Sequence, residues 1–127
     1  RRTRGEEVEE EALDVTPLLK ELVSLPAIDG VILLEKDGLT IASEGVEESE
    51  ELAAIISGIA NQSLTTGSEF NIGDLESFTV ITPHRRFINI VGPDAILTLI
   101  SGPDGGEGLA TLYGTKIHSR IISILGR

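Results

Sequence analysis

Gly102, Pro103, Asp104, Gly105, Gly106 and Gly108 stand between an apolar run and an amphipathic one, where a phosphate-binding loop would sit. Phosphate binding needs a Gly-Lys-Ser/Thr ending or, for a dinucleotide, a third glycine at the right spacing. Neither is present. Thr111 holds the third-glycine position, and Asp104 and Glu107 would repel an anion. The stretch therefore reads as a strand-to-helix turn. His84 and His118 have no partner histidine at helical spacing and no metal-type cluster of acids nearby. His84 is expected solvated in a hairpin turn, and His118 on the wet side of the last helix. Glu47, Glu48, Glu50 and Glu51 read as the favourable acidic start of a helix rather than a cation site. Without cysteine the chain has no disulfide, thiolate or cysteine-ligated zinc, and it contains no Gly-x-Ser-x-Gly elbow. No catalytic, cofactor-binding or metal-ligating residue is assigned, and the protein is expected not to be an enzyme. His84-Arg85-Arg86 is the one local basic patch. It reads as a soluble hairpin tip, with docking to an acidic partner surface through Arg85 and Arg86 as the alternative.

The elements around these residues follow from periodicity. Residues 1–13 mix arginine with glutamate, have almost nothing to bury, and are expected as a charged flexible tail or linker ahead of a domain over 14–127. Asp14 or Thr16 caps a first helix with Pro17 in its first turn, and Pro26 ends it. Val31 to Leu34 and Leu39 to Ser43 form a hairpin around Lys36-Asp37-Gly38. A second helix runs from Val46 to about Thr66, with Gly67 as its stop. Phe78 to Thr82, Arg86 to Val91 and Ala95 to Ile100 are joined by turns so short that they must form an antiparallel meander. A last helix, from about Glu107 to Leu125, carries Leu109, Ala110, Tyr113, Ile117, Ile121, Ile124 and Leu125 on its apolar face. The first and fifth strands are apolar almost throughout, as central strands are. The predicted fold is thus α/β (α+β), with topology αββαβββα. Its five-stranded antiparallel sheet has the order 2-1-5-4-3 and helices on both faces.

Composition bounds the partners. The 127 residues suit one domain, and 16 Ile, 16 Leu and 7 Val against 3 Phe and 1 Tyr make an aliphatic core. A net charge of -11 repels phosphate backbones and anionic lipids, so neither nucleic acid nor membrane is an expected partner. No apolar run approaches the ~18–20 residues that span a bilayer, and no secretory signal stands at the amino end. A cytoplasmic location is expected. The chain lacks methionine even at position 1, which suggests a processed form or a segment of something longer.

The second helix carries a surplus of apolar surface. Leu52, Ala53, Ile55, Ile56, Ile59, Ala60 and Leu64 fill an arc of roughly 180°, where covering one sheet needs about 100°. Small residues Ala53, Ser57 and Ala60 lie on its flank. They are expected, with Leu64, to meet the same helix of a second copy. Thr79, Val80 and Ile81 of the edge strand would pair with their own copies and close the open edge.

Taken in order, these stretches resemble the roadblock / dynein light chain family, and in particular its MglB-like prokaryotic members. The resemblance runs from about Val15 to Leu125. It rests on Asp29-Gly30-Val31-Ile32-Leu33-Leu34 with Lys36-Asp37-Gly38-Leu39 and Ile41-Ala42-Ser43, and on the helix around Leu52, Ala53, Ala54 and Ala60. The meander ending at Leu99-Ile100 and the stretch from Pro103-Asp104 to Gly108-Leu109 complete it. The resemblance implies a homodimer or paralogous heterodimer through the second helix and third strand. It also implies a non-enzymatic, cofactor-free regulator or scaffold that binds a small Ras-like GTPase, as the gliding-motility members do. Two alternatives stay open: a pure dimerisation module without a GTPase partner, and a profilin- or PAS-like ligand-sensing domain.

Overall fold

The computed structural model describes residues 3–103 and 107–125. Its helices are α1 (Arg4–Val23), α2 (Ser49–Glu69) and α3 (Glu107–Leu125), and its strands β1 (Ile28–Glu35), β2 (Thr40–Glu44), β3 (Ser77–Ile81), β4 (Arg86–Val91) and β5 (Ala95–Ser101). They form one five-stranded antiparallel sheet in the order β2-β1-β5-β4-β3, as the sequence predicts. β1 and β5 pair along their whole length, with Val31 opposite Leu99 and Leu33 opposite Leu97. Side chains alternate across a strand, so each central strand feeds two cores. Val31, Leu33, Leu97 and Leu99 pack under α1 and α3 with Val15, Leu19, Leu22, Ile117 and Ile121. Ile32, Leu34, Ile96 and Ile100 point the other way and pack under α2. Both faces are dry, hence the nearly unbroken apolar runs.

Residues 4–13, expected within a flexible tail over 1–13, belong to α1. It starts at Arg4, where the Thr3 hydroxyl accepts a hydrogen bond from the Glu6 amide at 3.1 Å, with Glu6 and Glu7 in its first turn. Pro17 lies well inside the helix, not at its start. The early turns bury no large apolar side chain, yet Glu, Ala and Leu are strong helix formers and sustain the helix by propensity. The Arg4 guanidinium also pairs with the buried carboxylate of Glu35, which ties the first turn of α1 to the end of β1. Arg1, Arg2, Asp104, Gly105 and Gly106 lie outside the described residues, as do the side chains of Leu109, Ala110, Ile124 and Leu125.

α2 begins three residues later than expected because Val46 packs over the chain at Gly30. A Cβ on Gly30 would lie 2.7 Å from the Val46 side chain. Nor does Gly67 stop the helix. It is buried inside it, facing the Gly73 carbonyl oxygen at a distance only a glycine permits, and the chain turns instead at Asn71, whose φ is 54°.

A candidate interaction surface on α2 and β3

Ala53, Ile56 and Ala60 of α2 pack on the chain's own sheet, against Ile32, Leu34, Ile96 and Ile100. Ser57 is buried beside them, and a Cβ on Gly38 would come within 3.0 Å of its hydroxyl. Asn61 Nδ2 donates to the Lys36 carbonyl at 3.0 Å, pinning the same hairpin turn to α2. Ala53, Ser57 and Ala60 therefore let the helix approach its own sheet and hairpin, which corrects their expected role against a second copy. Small side chains permit close approach to any neighbour, and the sequence does not say which neighbour that is. The apolar surface left over on α2 is Ile55, 61% exposed, and Ile59, 37% exposed one turn on, with Leu64 half-buried.

β3 is a sheet edge that pairs only with β4 among the described strands. Thr79 and Ile81 are exposed and Val80 is half-buried, Ile81 to the extent of 64% exposure. Val80 stands opposite Phe87, and Phe87 opposite Ile100, so Val80 and Phe87 share the α2 face of the sheet. At the centre of that face lies a polar pair absent from the sequence reading. Asn89 and Thr98 are fully buried and in register. The Thr98 hydroxyl donates to Asn89 Oδ1 at 2.7 Å, and Asn89 Nδ2 donates to the carbonyls of Phe78 and Phe87. One amide thus ties β3, β4 and β5 together, and its only sequence signal is a polar residue at a core-facing strand position.

The basic patch is divided by the structure. Arg85 is exposed in the β3–β4 turn, its amide bonded to Thr82 Oγ1 and its Nη1 to the His84 carbonyl, both at 3.0 Å. Arg86 is half-buried at the start of β4, opposite Ile81 and Ser101. One is held exposed in the turn and the other is half-buried in the strand, so the two arginines do not form one exposed patch. Arg85 instead lines a groove of about 350 Å³ beside the start of α2, together with Asp29, Glu47, Glu48, Val46, Leu52, Phe87 and Ile100. Among the described residues no group of three or more His, Asp or Glu is placed to hold a metal ion, and no helix is long and apolar enough to cross a membrane.

His118 is buried, which corrects its expected place on the wet side of α3. Its ring lies against Gly92 in the β4–β5 turn, so close that any Cβ there would clash. The helix reads as wet at this position only because a turn without a side chain leaves no apolar signature. Burial pushes the imidazole below its usual 6.5, against a smaller opposing effect of its hydrogen bond to the Ala95 backbone. The unfolded chain therefore binds this proton more readily than the folded one. The neutral ring's full stability is present above about pH 6.5 and is lost as pH falls through the lowered folded value. Thermal melts between pH 8 and pH 5 should show wild type losing more stability than His118→Gln. Parallel curves would show that His118 does not titrate with unfolding.

Two helices on one face and one on the other, over a 2-1-5-4-3 antiparallel sheet, define the architecture shared by roadblock and profilin folds. Acanthamoeba castellanii profilin IB overlays with a TM-score of 0.62 at 19% identity, over 82% of this chain and 92% of that one. A Roadblock/LC7 domain from Streptomyces avermitilis reaches 0.80 at 20% identity, over 87% and 96%. The gliding protein MglB of Thermus thermophilus reaches 0.81 at 14% identity, over 91% of each chain. A comparison with curated protein sequences gives no match. The Roadblock/LC7 domain model matches residues 15–101, and the chain belongs to that family.

Proposed function

We propose that the protein is a cytoplasmic, dimeric roadblock-type regulator or scaffold that binds a small Ras-like GTPase and has no active site of its own. The observation that carries this reading is the apolar surface the single chain leaves open: Ile55 and Ile59 on α2, and Ile81 on the unpaired edge β3. A second copy related by a two-fold axis would pair Thr79, Val80 and Ile81 with their equivalents and cover Ile55, Ile59 and Leu64. Support for the GTPase comes from the family and from the overlay on a gliding protein. Sedimentation at tens of micromolar tests the dimer. Capture of candidate GTPases loaded with GTP or with GDP tests the partner, since a pure assembly module would not distinguish the two nucleotides.

Any stimulation of GTP hydrolysis would come from ordering the GTPase's own residues. An arginine finger contributes about 10³–10⁵ to the rate and must reach into the partner's site. Arg85 is bonded to its own turn, and Arg86 is half-buried in a strand. In single-turnover hydrolysis with the regulator in excess, Arg85→Ala and Arg86→Ala should each change the rate by less than about tenfold. A thousandfold loss at unchanged affinity would establish a finger.

A further inference from the structure

The groove beside the start of α2 combines two properties that solvation of a helix end does not require together. Its floor is apolar, made by Val46, Leu52 and Phe87 with Ile100 of β5 beneath. Ile100 is buried in the cluster under α2, while Leu52 and Phe87 at its edge stay half-buried and face the groove. One wall is backbone at Gly30 and Gly45. Gly45 has φ of 72°, and a Cβ there would sit 2.5 Å from the Asp29 carbonyl oxygen, so the wall keeps its shape only with glycine. The rim carries Asp29, Glu47 and Glu48, all exposed, and none forms an ion pair with another described residue. Arg85 is the one cation lining the groove, and its Nη1 is engaged by the His84 carbonyl.

We infer that this groove is a docking site for a protein segment that places an aliphatic side chain beside a lysine or arginine. The aliphatic group displaces water from the Leu52–Phe87 floor, and the cation meets a rim whose three carboxylates outnumber the single guanidinium of Arg85. A volume of about 350 Å³ suits one anchoring side chain, which makes this a weak, specificity-setting contact. The site requires neither a GTPase partner nor a dimer.

The test is a titration of the 15N-labelled protein with the peptide acetyl-Gly-Leu-Arg-Lys-Gly-amide, followed by amide chemical shifts. Saturable shifts should concentrate at Gly30, Gly45, Leu52 and Ile100. Affinity should fall about threefold to tenfold when leucine becomes serine, or arginine and lysine become glutamine, and likewise with the protein variant Glu47→Gln/Glu48→Gln. The variant changes exposed side chains only, and its unperturbed spectrum elsewhere confirms its fold. No saturation by about 5 mM peptide overturns the inference. So do shifts centred on the glutamates of α1, which would report charge attraction alone, and shifts that follow protein rather than peptide concentration, which would put a second copy in the groove.

Discussion

Ile55→Glu should yield a folded monomer, whereas Ala60→Glu should yield no folded protein at all. The two positions lie five residues apart on α2, yet one faces away from the chain and the other into it. Ile55 is 61% exposed, so a glutamate there stays hydrated and should change the stability of the single chain by no more than about 0.5 kcal/mol. In the proposed dimer the same charge enters an apolar contact, and a loss of about 2 kcal/mol or more weakens association at least thirtyfold. Ala60 is fully buried against the sheet, in the cluster that holds Ile32, Leu34 and Ile96. A carboxylate there would enter an apolar cluster, and its burial costs several kcal/mol out of the roughly 5–15 that hold a domain together. Circular dichroism and sedimentation velocity on both variants separate the outcomes. An Ile55→Glu protein that sediments as an unweakened dimer would remove α2 from the interface. A well-folded Ala60→Glu protein would contradict the packing of α2.

Thr98→Val and Asn89→Leu should together cost more than the double replacement costs. Thr98→Val leaves Asn89 Oδ1 buried without its 2.7 Å donor, and Asn89→Leu leaves the Thr98 hydroxyl without its acceptor. Each orphaned buried group costs about 1–3 kcal/mol, while removing both partners orphans neither. The double variant also loses the amide's bonds to the Phe78 and Phe87 carbonyls, so it should not recover fully. Urea midpoints for the four proteins form a cycle whose coupling energy should exceed about 0.5 kcal/mol. Strict additivity would mean that the two side chains do not act as a unit.

The strand order was legible because burial on two faces leaves a mark that burial on one face does not. Val31 to Leu34 and Ala95 to Leu97 are unbroken, while Ser77 to Ile81 alternates, and those patterns separate the centre of a sheet from its edge without any contact being known. The turns around Lys36-Asp37-Gly38 and Gly92-Pro93-Asp94 were equally local, since their length alone forces the strands they join to be neighbours. Periodicity along α2 correctly signalled more apolar surface than one sheet needs, as exposed Ile55 and Ile59 show.

Tertiary structure alone decided which part of that surface goes where. Periodicity is measured about a helix's own axis and does not fix the rotation of that helix against its neighbours. Ala53, Ser57 and Ala60 therefore looked available to a second copy until the sheet and the Gly38 turn were seen to occupy their side. The same indeterminacy hid the burial of His118 under a glycine turn and the pairing of Asn89 with Thr98, since both depend on residues brought together by register. It also hid the early start of α1, held by a cap and by an ion pair to Glu35, thirty-one positions away. Local rules report what a segment can bury or bond; only the assembled fold supplies the partner.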